Sequence, residues 1–187
     1  MTLPRGFKAK AEREAARLRS EMGLHEHDHV TAQQLADHVE VRLVSGDQLV
    51  DIERLHELER LQAYSFSAAT FDISGKKIIV TNPIRSAGRL ASDIAHEVSH
   101  IILEHKLSEV RWLAGMPFRT CEPDEEEQAT SLGGTLLLPR PLLMRAARQR
   151  MTPETIAEEY GTTVELARWR YNTTGVTRQV AAARHNR

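Results

Sequence analysis

Apolar residues recur at helical spacing in the middle of the chain, over residues 90–104. This stretch contains neither proline nor glycine, and its apolar positions i, i+4, i+7 and i+8 are Ile94, Val98, Ile101 and Ile102. A period near 3.6 residues places these side chains in one stripe along a helix. The pattern therefore predicts an amphipathic helix whose apolar stripe packs against a core.

The rest of the pattern predicts further helices and one β-hairpin. Helices are predicted over 9–22, 32–38 and 49–62, from 122 onwards, from 152 to a stop at 161, and over 163–169. Strands are predicted over 41–44, 68–73 and 77–81. The last two strands flank Ser74-Gly75-Lys76, a glycine turn typical of a hairpin. We interpret residues 106–118 as a connector, and the whole pattern indicates an α+β fold, mostly helical, with a small antiparallel sheet.

The central helix carries the motif His-Glu-x-x-His at positions 96–100. Because residues four apart lie on one helical face, His96 and His100 can bind one Zn²⁺ through ring nitrogens at about 2.0–2.1 Å. Glu97 then lies beside the metal and can take a proton from a water molecule, which is the general-base role in a zinc peptidase. The motif therefore predicts a zinc site with Glu97 as its catalytic residue.

A catalytic zinc site usually has three protein ligands, so a third must come from elsewhere in the chain. The metzincin pattern is excluded, because Leu103 and Lys106 stand where that pattern has glycine and histidine. Glu104, four residues after His100, is better explained as a solvated carboxylate at a helix end. His105 is expected to point away from the face that carries His100.

A better candidate for the third ligand lies near the start of the helix predicted from position 122. Glu126 shares a helical face with Ala129 and Gly133. Because these two residues are small, this helix can closely approach the helix that carries the motif. A glycine inside a helix costs about 1 kcal/mol relative to alanine, and close packing explains why it is tolerated. Glu127 points about 100° away on the same helix and remains the alternative ligand.

The chain resembles the ImmA/IrrE metallopeptidases between Ile78 and about Pro139. The likeness rests on a strand that ends in Asn82, on Arg89 in the following turn, on Ala95 before the motif at 96–100, and on residues 126–139, which correspond to Glu-x-x-Ala-Asn-x-Phe-Ala-x-x-Leu-Leu-Met-Pro in the family. The resemblance implies a zincin-like peptidase fold. It also implies zinc ligands at His96, His100 and Glu126, with Glu97 as the catalytic base.

The family also implies a biological role for the predicted site. Its typical activity is cleavage of a partner repressor, usually a helix-turn-helix protein, which switches on mobile-element or stress genes. The chain departs from the family pattern around the third ligand. Thr130 replaces the asparagine, Leu132 replaces the phenylalanine, and a glycine, Gly133, replaces the alanine that follows it. If that asparagine supports a ligand, the Thr130 hydroxyl must take over its role.

Composition limits the classes of protein to which the chain can belong. It has 187 residues and a formal net charge of −1, which argues against a main task of coating nucleic acid. Cys121 is the only cysteine, so the chain has no internal disulfide, and a reducing cytosol is the natural compartment. Its thiol is interpreted as idle, with a regulatory contact to the site as the alternative.

No apolar run approaches the roughly 18 residues of a membrane span or resembles a signal peptide. We therefore expect a cytoplasmic protein without a membrane partner.

The C-terminal third predicts a helical hairpin. Thr152-Pro153 is a typical helix start, and Thr163 is expected to open a second helix after Gly161. The spacing of apolar and small residues there resembles a helix-turn-helix core, and a basic tail follows: Arg168, Arg170, Arg178, Arg184 and Arg187. We expect a peptidase domain over 1–145, with its core in 66–140, and a C-terminal hairpin and tail over 146–187.

Four features of the sequence leave alternatives open. A DNA-binding regulator and a catalytically silent, peptidase-like binding protein are the rivals to a peptidase. The hairpin over 68–81 either holds an extended substrate by β-augmentation or merely covers the core. A second donor to the oxyanion of the predicted reaction has four candidates, Tyr160, Tyr171, Arg85 and Arg89. The alternating histidines His25, His27 and His29 are best explained as a solvated turn.

Overall fold

A computed structural model describes residues 3–62, 66–106, 110–113, 116–119 and 122–185. Within these ranges the chain is mostly helical with a small mixed sheet, which confirms the predicted α+β fold. The helices are α1 (Phe7–Glu21), α2 (Ala32–His38), α3 (Ile52–Leu61), α4 (Ala87–Ile102), α5 (Pro123–Leu137), α6 (Arg140–Arg148), α7 (Pro153–Glu159), α8 (Val164–Thr174) and α9 (Val176–His185). The strands are β1 (Arg42–Ser45), β2 (Ala68–Ile73), β3 (Lys76–Thr81), β4 (Val110–Leu113) and β5 (Met116–Arg119), and a short 3-10 helix, Gly46–Gln48, follows β1.

Helix α4 begins three residues earlier than predicted. Ser86 caps it, accepting a hydrogen bond from the Arg89 N–H, and Gly88 therefore lies inside the first turn. A Cβ at Gly88 would lie 2.4 Å from the Thr162 carbonyl oxygen. Glycine stands here because the α4 backbone approaches the segment before α8, a contact that the local sequence does not reveal.

Three elements differ in kind from the prediction. The predicted connector over 106–118 contains β4 and β5, which pair antiparallel, because four-residue strands are too short to give a periodic signal. Helix α6 was not predicted. The described part of the predicted basic tail is helical: Arg168 and Arg170 belong to α8, and Arg178 lies in α9. The apolar row of α9, Val176 and Val180, is buried but too short to give a helical signal in the sequence. Within the described ranges, every helix is too short or too polar to cross a membrane.

The predicted hairpin forms two strands of a three-stranded sheet. Strand β2 pairs antiparallel with β3, with Thr70 opposite Ile79, and β1 joins the other side of β3 in parallel. The order β1-β3-β2 leaves β2 at an edge among the described strands. Ile79 on the central strand is fully buried, whereas β2 changes from a buried first half to an exposed second half at Phe71.

Helices α4 and α5 pack closely, as the small residues predict. A Cβ at Gly133 would lie 3.0 Å from three backbone atoms of α4, namely C and O of Ala95 and N of His96. A Cβ at Gly134 would instead lie 2.7 Å from the Trp169 ring of α8. The two consecutive glycines thus allow α5 to approach one helix on each side, and the α4 contact occurs at the first histidine of the motif.

Two buried arginines bind the carbonyl end of α5. The Arg19 guanidinium is fully buried and donates to the carbonyls of Leu136 at 2.7 Å, Ala15 at 3.2 Å and Asp28 at 3.0 Å. Arg170 donates to the Leu138 carbonyl at 3.0 Å. The last carbonyls of a helix lack hydrogen-bond donors within the helix and carry partial negative charge. A guanidinium at this end supplies both the missing donors and a compensating positive charge. The position of α5 is thereby fixed at its C-terminal end.

We expect Arg19→Met to lower the free energy of unfolding by about 3 kcal/mol or more, because the substitution leaves buried carbonyls without partners, each at a cost of about 1–3 kcal/mol. Arg17→Met is the matched control on the same helix, since Arg17 is half exposed and forms surface ion pairs with Glu14 and Glu21. Its expected effect is within about 1 kcal/mol. Urea unfolding of both variants measures the difference, and equal stabilities would contradict this account.

Gly133→Ala is expected to destabilise the protein by about 1–3 kcal/mol, because the added methyl group has no space between two packed backbones. At a helix position without such a contact, the same change stabilises a protein by about 1 kcal/mol through helix propensity. The two expectations have opposite signs. A thermal unfolding curve decides between them, and a stabilised variant would refute the close approach.

Candidate metal centre

Three predicted ligands meet where α4 and α5 are in contact. The Nε2 atoms of His96 and His100 lie 3.0 Å apart. The Glu126 carboxylate lies 3.2 Å from Nε2 of His96 and 3.5 Å from Nε2 of His100. Among the described residues these three form the group of histidine, cysteine and acidic side chains that can hold a metal, with ligand atoms within 4.8 Å of one another.

The donor set and its spacing fit a metal ion. Three atoms bound to one zinc ion at about 2.0–2.1 Å in a tetrahedron are about 3.3–3.4 Å apart. The two Nε2 atoms are 3.0 Å apart, and the nearest carboxylate oxygens lie 3.2 Å from His96 (Oε2) and 3.5 Å from His100 (Oε1), all close to that value. Two imidazoles and one carboxylate are also the ligand types that zinc accepts in catalytic sites. The His-His-Glu group, or metal group, is therefore placed to hold a metal. Among the described residues, Glu127 belongs to no such group.

The position of Glu126 follows from the N-terminus of α5. Pro123 is the first residue of the helix, and three acidic residues fill the first turn, as the sequence predicts. Glu126 lies on the face that also carries Ala129, which is fully buried, and Gly133. Since the glycine lets α5 touch α4 at Ala95 and His96, the carboxylate two turns earlier reaches the imidazoles.

His100 is kept neutral by its surroundings. Burial, and after it the neighbouring His96, lower its pKa to about 4, against smaller opposite effects of Glu126 and Glu97. At neutral pH the ring therefore has a free lone pair, which metal binding requires. Glu126 supplies the negative charge of the His-His-Glu group.

His105 contacts the metal group, which corrects the expectation that it points away. Its Nδ1 lies 3.0 Å from Nδ1 of His100, and the ring centroids are 5.0 Å apart. Helix α4 ends at Ile102, and Glu104 takes a left-handed conformation with φ of 55°, which turns the chain back. A helix continued through 104 would have carried His105 away, and a non-glycine residue at positive φ gives no sequence signal.

The contact with His105 fixes how His100 can present its nitrogens. One Nδ1 must donate and the other must accept. For Nε2 of His100 to bind a metal, the proton stands on its Nδ1 and is donated to His105. Thr130 has a related position at the other histidine, with Oγ1 3.4 Å from Nδ1 of His96. The hydroxyl thus occupies the place beside a ligand that the family's asparagine suggested.

Glu97 lies beside the metal group and is almost completely buried, with 6 % of its surface exposed. Its Oε2 accepts two hydrogen bonds from Thr70 of β2, one from the backbone N–H at 3.0 Å and one from Oγ1 at 2.6 Å. The predicted base is therefore bound to the edge strand of the sheet. Sequence reasoning missed Thr70, because a threonine in a strand is common and the partner is 27 residues away.

The four candidate oxyanion donors all have other partners. Arg85 forms a bidentate pair with Glu59 at 2.7 and 2.8 Å, and Arg89 pairs with Asp93 at 3.0 Å. The Tyr171 hydroxyl donates to the Met151 carbonyl at 3.0 Å, and the Tyr160 ring packs edge-on against His29. Asp93, the partner of Arg89, also interacts electrostatically with His96, but the Arg89 guanidinium itself is engaged by that carboxylate. These contacts therefore identify no second oxyanion donor.

The predicted basic tail is partly engaged inside the fold. Arg170 is buried and binds Glu12 at 2.7 Å as well as Leu138, so it belongs to the core and not to a tail. Arg168 pairs with Glu154 at 3.1 Å on the surface. The Arg184 side chain, Arg187 and Cys121 lie outside the described residues. His25 and His27 stack on each other, apart from the metal group.

We expect the wild-type protein to bind about one Zn²⁺ per chain, and Glu126→Ala to bind it more weakly. Loss of a direct ligand should cost more than the roughly 10–100-fold that is typical when only the partner of a ligand is removed. Glu127→Ala is the matched control one residue away and should keep the wild-type affinity. Elemental analysis with chelator competition measures all three. If only Glu127→Ala weakens zinc binding, the third ligand is Glu127 and not Glu126.

Comparison with known proteins supports the family resemblance. The sequence matches the model of the IrrE N-terminal-like domain, Peptidase_M78, over residues 55–172, which include the whole metal group. No curated protein matches the chain. Among solved structures it is similar to a Mycobacterium tuberculosis transcriptional regulator, with a TM-score of 0.54 and 16% identity, covering 88% of this chain and 50% of that chain. The chain thus spans half the length of that regulator, and the likeness shows the fold alone. Because the family model matches well over half of the sequence, the chain belongs to the Peptidase_M78 family of IrrE N-terminal-like domains.

Proposed function

We propose that the chain is a zinc-dependent metalloendopeptidase that hydrolyses a peptide bond in a regulatory protein, most specifically a helix-turn-helix transcriptional repressor. The observation that carries the proposal is the buried Glu97 beside a His96-His100-Glu126 group whose donor atoms are 3.0–3.5 Å apart. Two imidazoles, one carboxylate and an adjacent unligated glutamate are what metal-assisted hydrolysis requires.

The chain's own residues divide the work between them. His96, His100 and Glu126 would hold the zinc ion. When bound, zinc supplies Lewis-acid polarisation of a water molecule and of the scissile carbonyl. His105 keeps the tautomer of His100 that exposes Nε2, through its contact at 3.0 Å. The Thr130 hydroxyl, 3.4 Å from Nδ1 of His96, does the same for the other imidazole.

Glu97 carries the proton in this mechanism. Its carboxylate takes one proton from the attacking water as the water oxygen bonds to the scissile carbon. The C–N bond then breaks, and Glu97 returns that proton to the leaving amine. The second proton of the water stays on the new carboxyl group until that group ionises and passes it to the amine, so the products are a carboxylate and an ammonium group, and Glu97 ends as it began. The side chain suits this role because, among the described residues, the hydrogen-bond donors reach Oε2 alone.

The edge strand β2 is the proposed site for the substrate backbone. Among the described strands it pairs with β3 alone, and beyond Thr70, whose outward N–H is bound to Glu97, its outer edge is available for an extended peptide. Glu97 is bound to that same strand at Thr70. A substrate strand added here would lie next to the base, which favours substrate binding over mere covering of the core.

The repressor as substrate is supported by the family to which the chain belongs. The similar solved structure is itself a transcriptional regulator by name, which is compatible with a regulatory protein partner. A cytoplasmic location is part of the same proposal, since repressors act there and the chain has one cysteine. The rival DNA-binding hypothesis loses support, because Arg170 is engaged in the core.

We expect the zinc-loaded protein to cleave at least one member of a panel of purified helix-turn-helix repressors from the same genome, and a chelator to abolish cleavage. Glu97→Gln should keep one zinc per chain and lose about 10²–10⁴-fold in rate, because the amide cannot accept the proton. Intact-mass spectrometry measures cleavage and elemental analysis measures zinc.

Normal cleavage by Glu97→Gln would refute the assignment of the base. If the zinc-loaded protein cleaves none of the repressors, the peptidase proposal fails. In that case steep salt dependence of binding to duplex DNA would favour the regulator, and tight binding of a repressor without cleavage would favour the silent binding protein.

A further inference from the structure

We propose that Thr70 is a positioning residue that fixes the orientation of Glu97, an inference that rests on the proposed peptidase function. Both hydrogen bonds from Thr70 end on one atom, Oε2 of Glu97, at 3.0 Å from the backbone N–H and 2.6 Å from Oγ1. No described residue donates a hydrogen bond to Oε1. The two carboxylate oxygens are thus distinguished, one bound to the sheet and one available to a water molecule.

The strand geometry explains why Thr70 can serve in this way. Because β2 is an edge strand, alternate backbone N–H groups point away from β3 and need another partner. The Thr70 N–H finds that partner in Glu97, and both residues are buried, with 8 % and 6 % exposed. The strand is held in turn by Ile79, opposite Thr70 and fully buried. The orientation of Glu97 is therefore set by the sheet as well as by its own helix.

Fixing this side chain matters for the reaction. A free glutamate rotates about three side-chain torsions, and each turnover would have to select the productive one. A carboxylate held by two donors is already oriented when substrate arrives, which lowers the barrier without any contact to the substrate. Loss of the hydroxyl should therefore lower kcat and leave both KM and zinc content unchanged.

The test compares three full-length, zinc-loaded variants with wild type, using the repressor that the wild type cleaves as substrate. Thr70→Val removes the hydroxyl at nearly constant volume but keeps the N–H, so kcat should fall about tenfold. Thr70→Ser keeps a hydroxyl and should recover most of the rate. Thr135→Val is the matched control, since Thr135 also loses a buried hydroxyl bond, at 2.8 Å to the Ser131 carbonyl, away from Glu97.

A second measurement reads the contact without turnover. Amide hydrogen exchange of the wild type should show the Thr70 N–H protected despite its outward direction, and Glu97→Ala should accelerate its exchange. The Ala69 N–H, which points to β3 by alternation, should stay protected in both proteins and serves as the internal control. Unchanged exchange at Thr70 in Glu97→Ala would overturn the inference, whatever the activity.

The kinetic outcomes separate this inference from the proposed function. If wild type cleaves and Thr70→Val has a normal kcat, the positioning role is wrong and the peptidase stands. The positioning role is equally wrong if Thr135→Val loses as much rate as Thr70→Val, or if Thr70→Ser recovers none. If wild-type protein with bound zinc cleaves no repressor, the proposed function fails, and the role of Thr70 in it fails as well.

Discussion

The contact between α4 and α5 at Gly133 determines the geometry of the candidate centre. At this point the backbones are so close that a Cβ would lie 3.0 Å from Ala95 and His96. Any larger side chain would separate the helices, and the Glu126 carboxylate would move away from the two imidazoles by a comparable distance. Metal affinity depends on ligand positions at the level of tenths of an ångström. The absence of a side chain at Gly133 thus sets the distance between Glu126 and the two histidines.

The remaining contacts of α5 fix the helix in place. Gly134 admits the Trp169 ring, and the buried guanidinium groups of Arg19 and Arg170 bind the last carbonyls. These arginines come from α1 and α8, at opposite ends of the chain, so both termini help to fix the helix that presents Glu126. The burial of Arg170, which lowers its pKa, is tolerated because Glu12 lies 2.7 Å away.

The sheet adds the second constraint on the centre. Glu97 follows His96 in the chain and points to β2, where Thr70 holds one of its oxygens. The same edge of β2 is where we propose that the substrate backbone binds. Base, metal group and substrate edge therefore meet at the junction of one strand and two helices. Hydrolysis of an extended peptide needs these three parts within a few ångströms of one another.

Local spacing alone determined part of this protein. The apolar stripe and the i, i+4 histidines of α4 depend on helix geometry, which needs no tertiary partner, and the proline and acidic residues at the start of α5 are equally local. The family resemblance then favoured Glu126, and its position beside both histidines agrees with that choice. The tertiary structure alone decided four other features: that His105 turns back onto His100, that Thr70 holds Glu97, that Arg170 is buried and that Gly88 lies inside a helix. Each of these depends on residues distant in sequence or on a backbone angle that its residue type does not favour, and neither leaves a periodic signal in the chain.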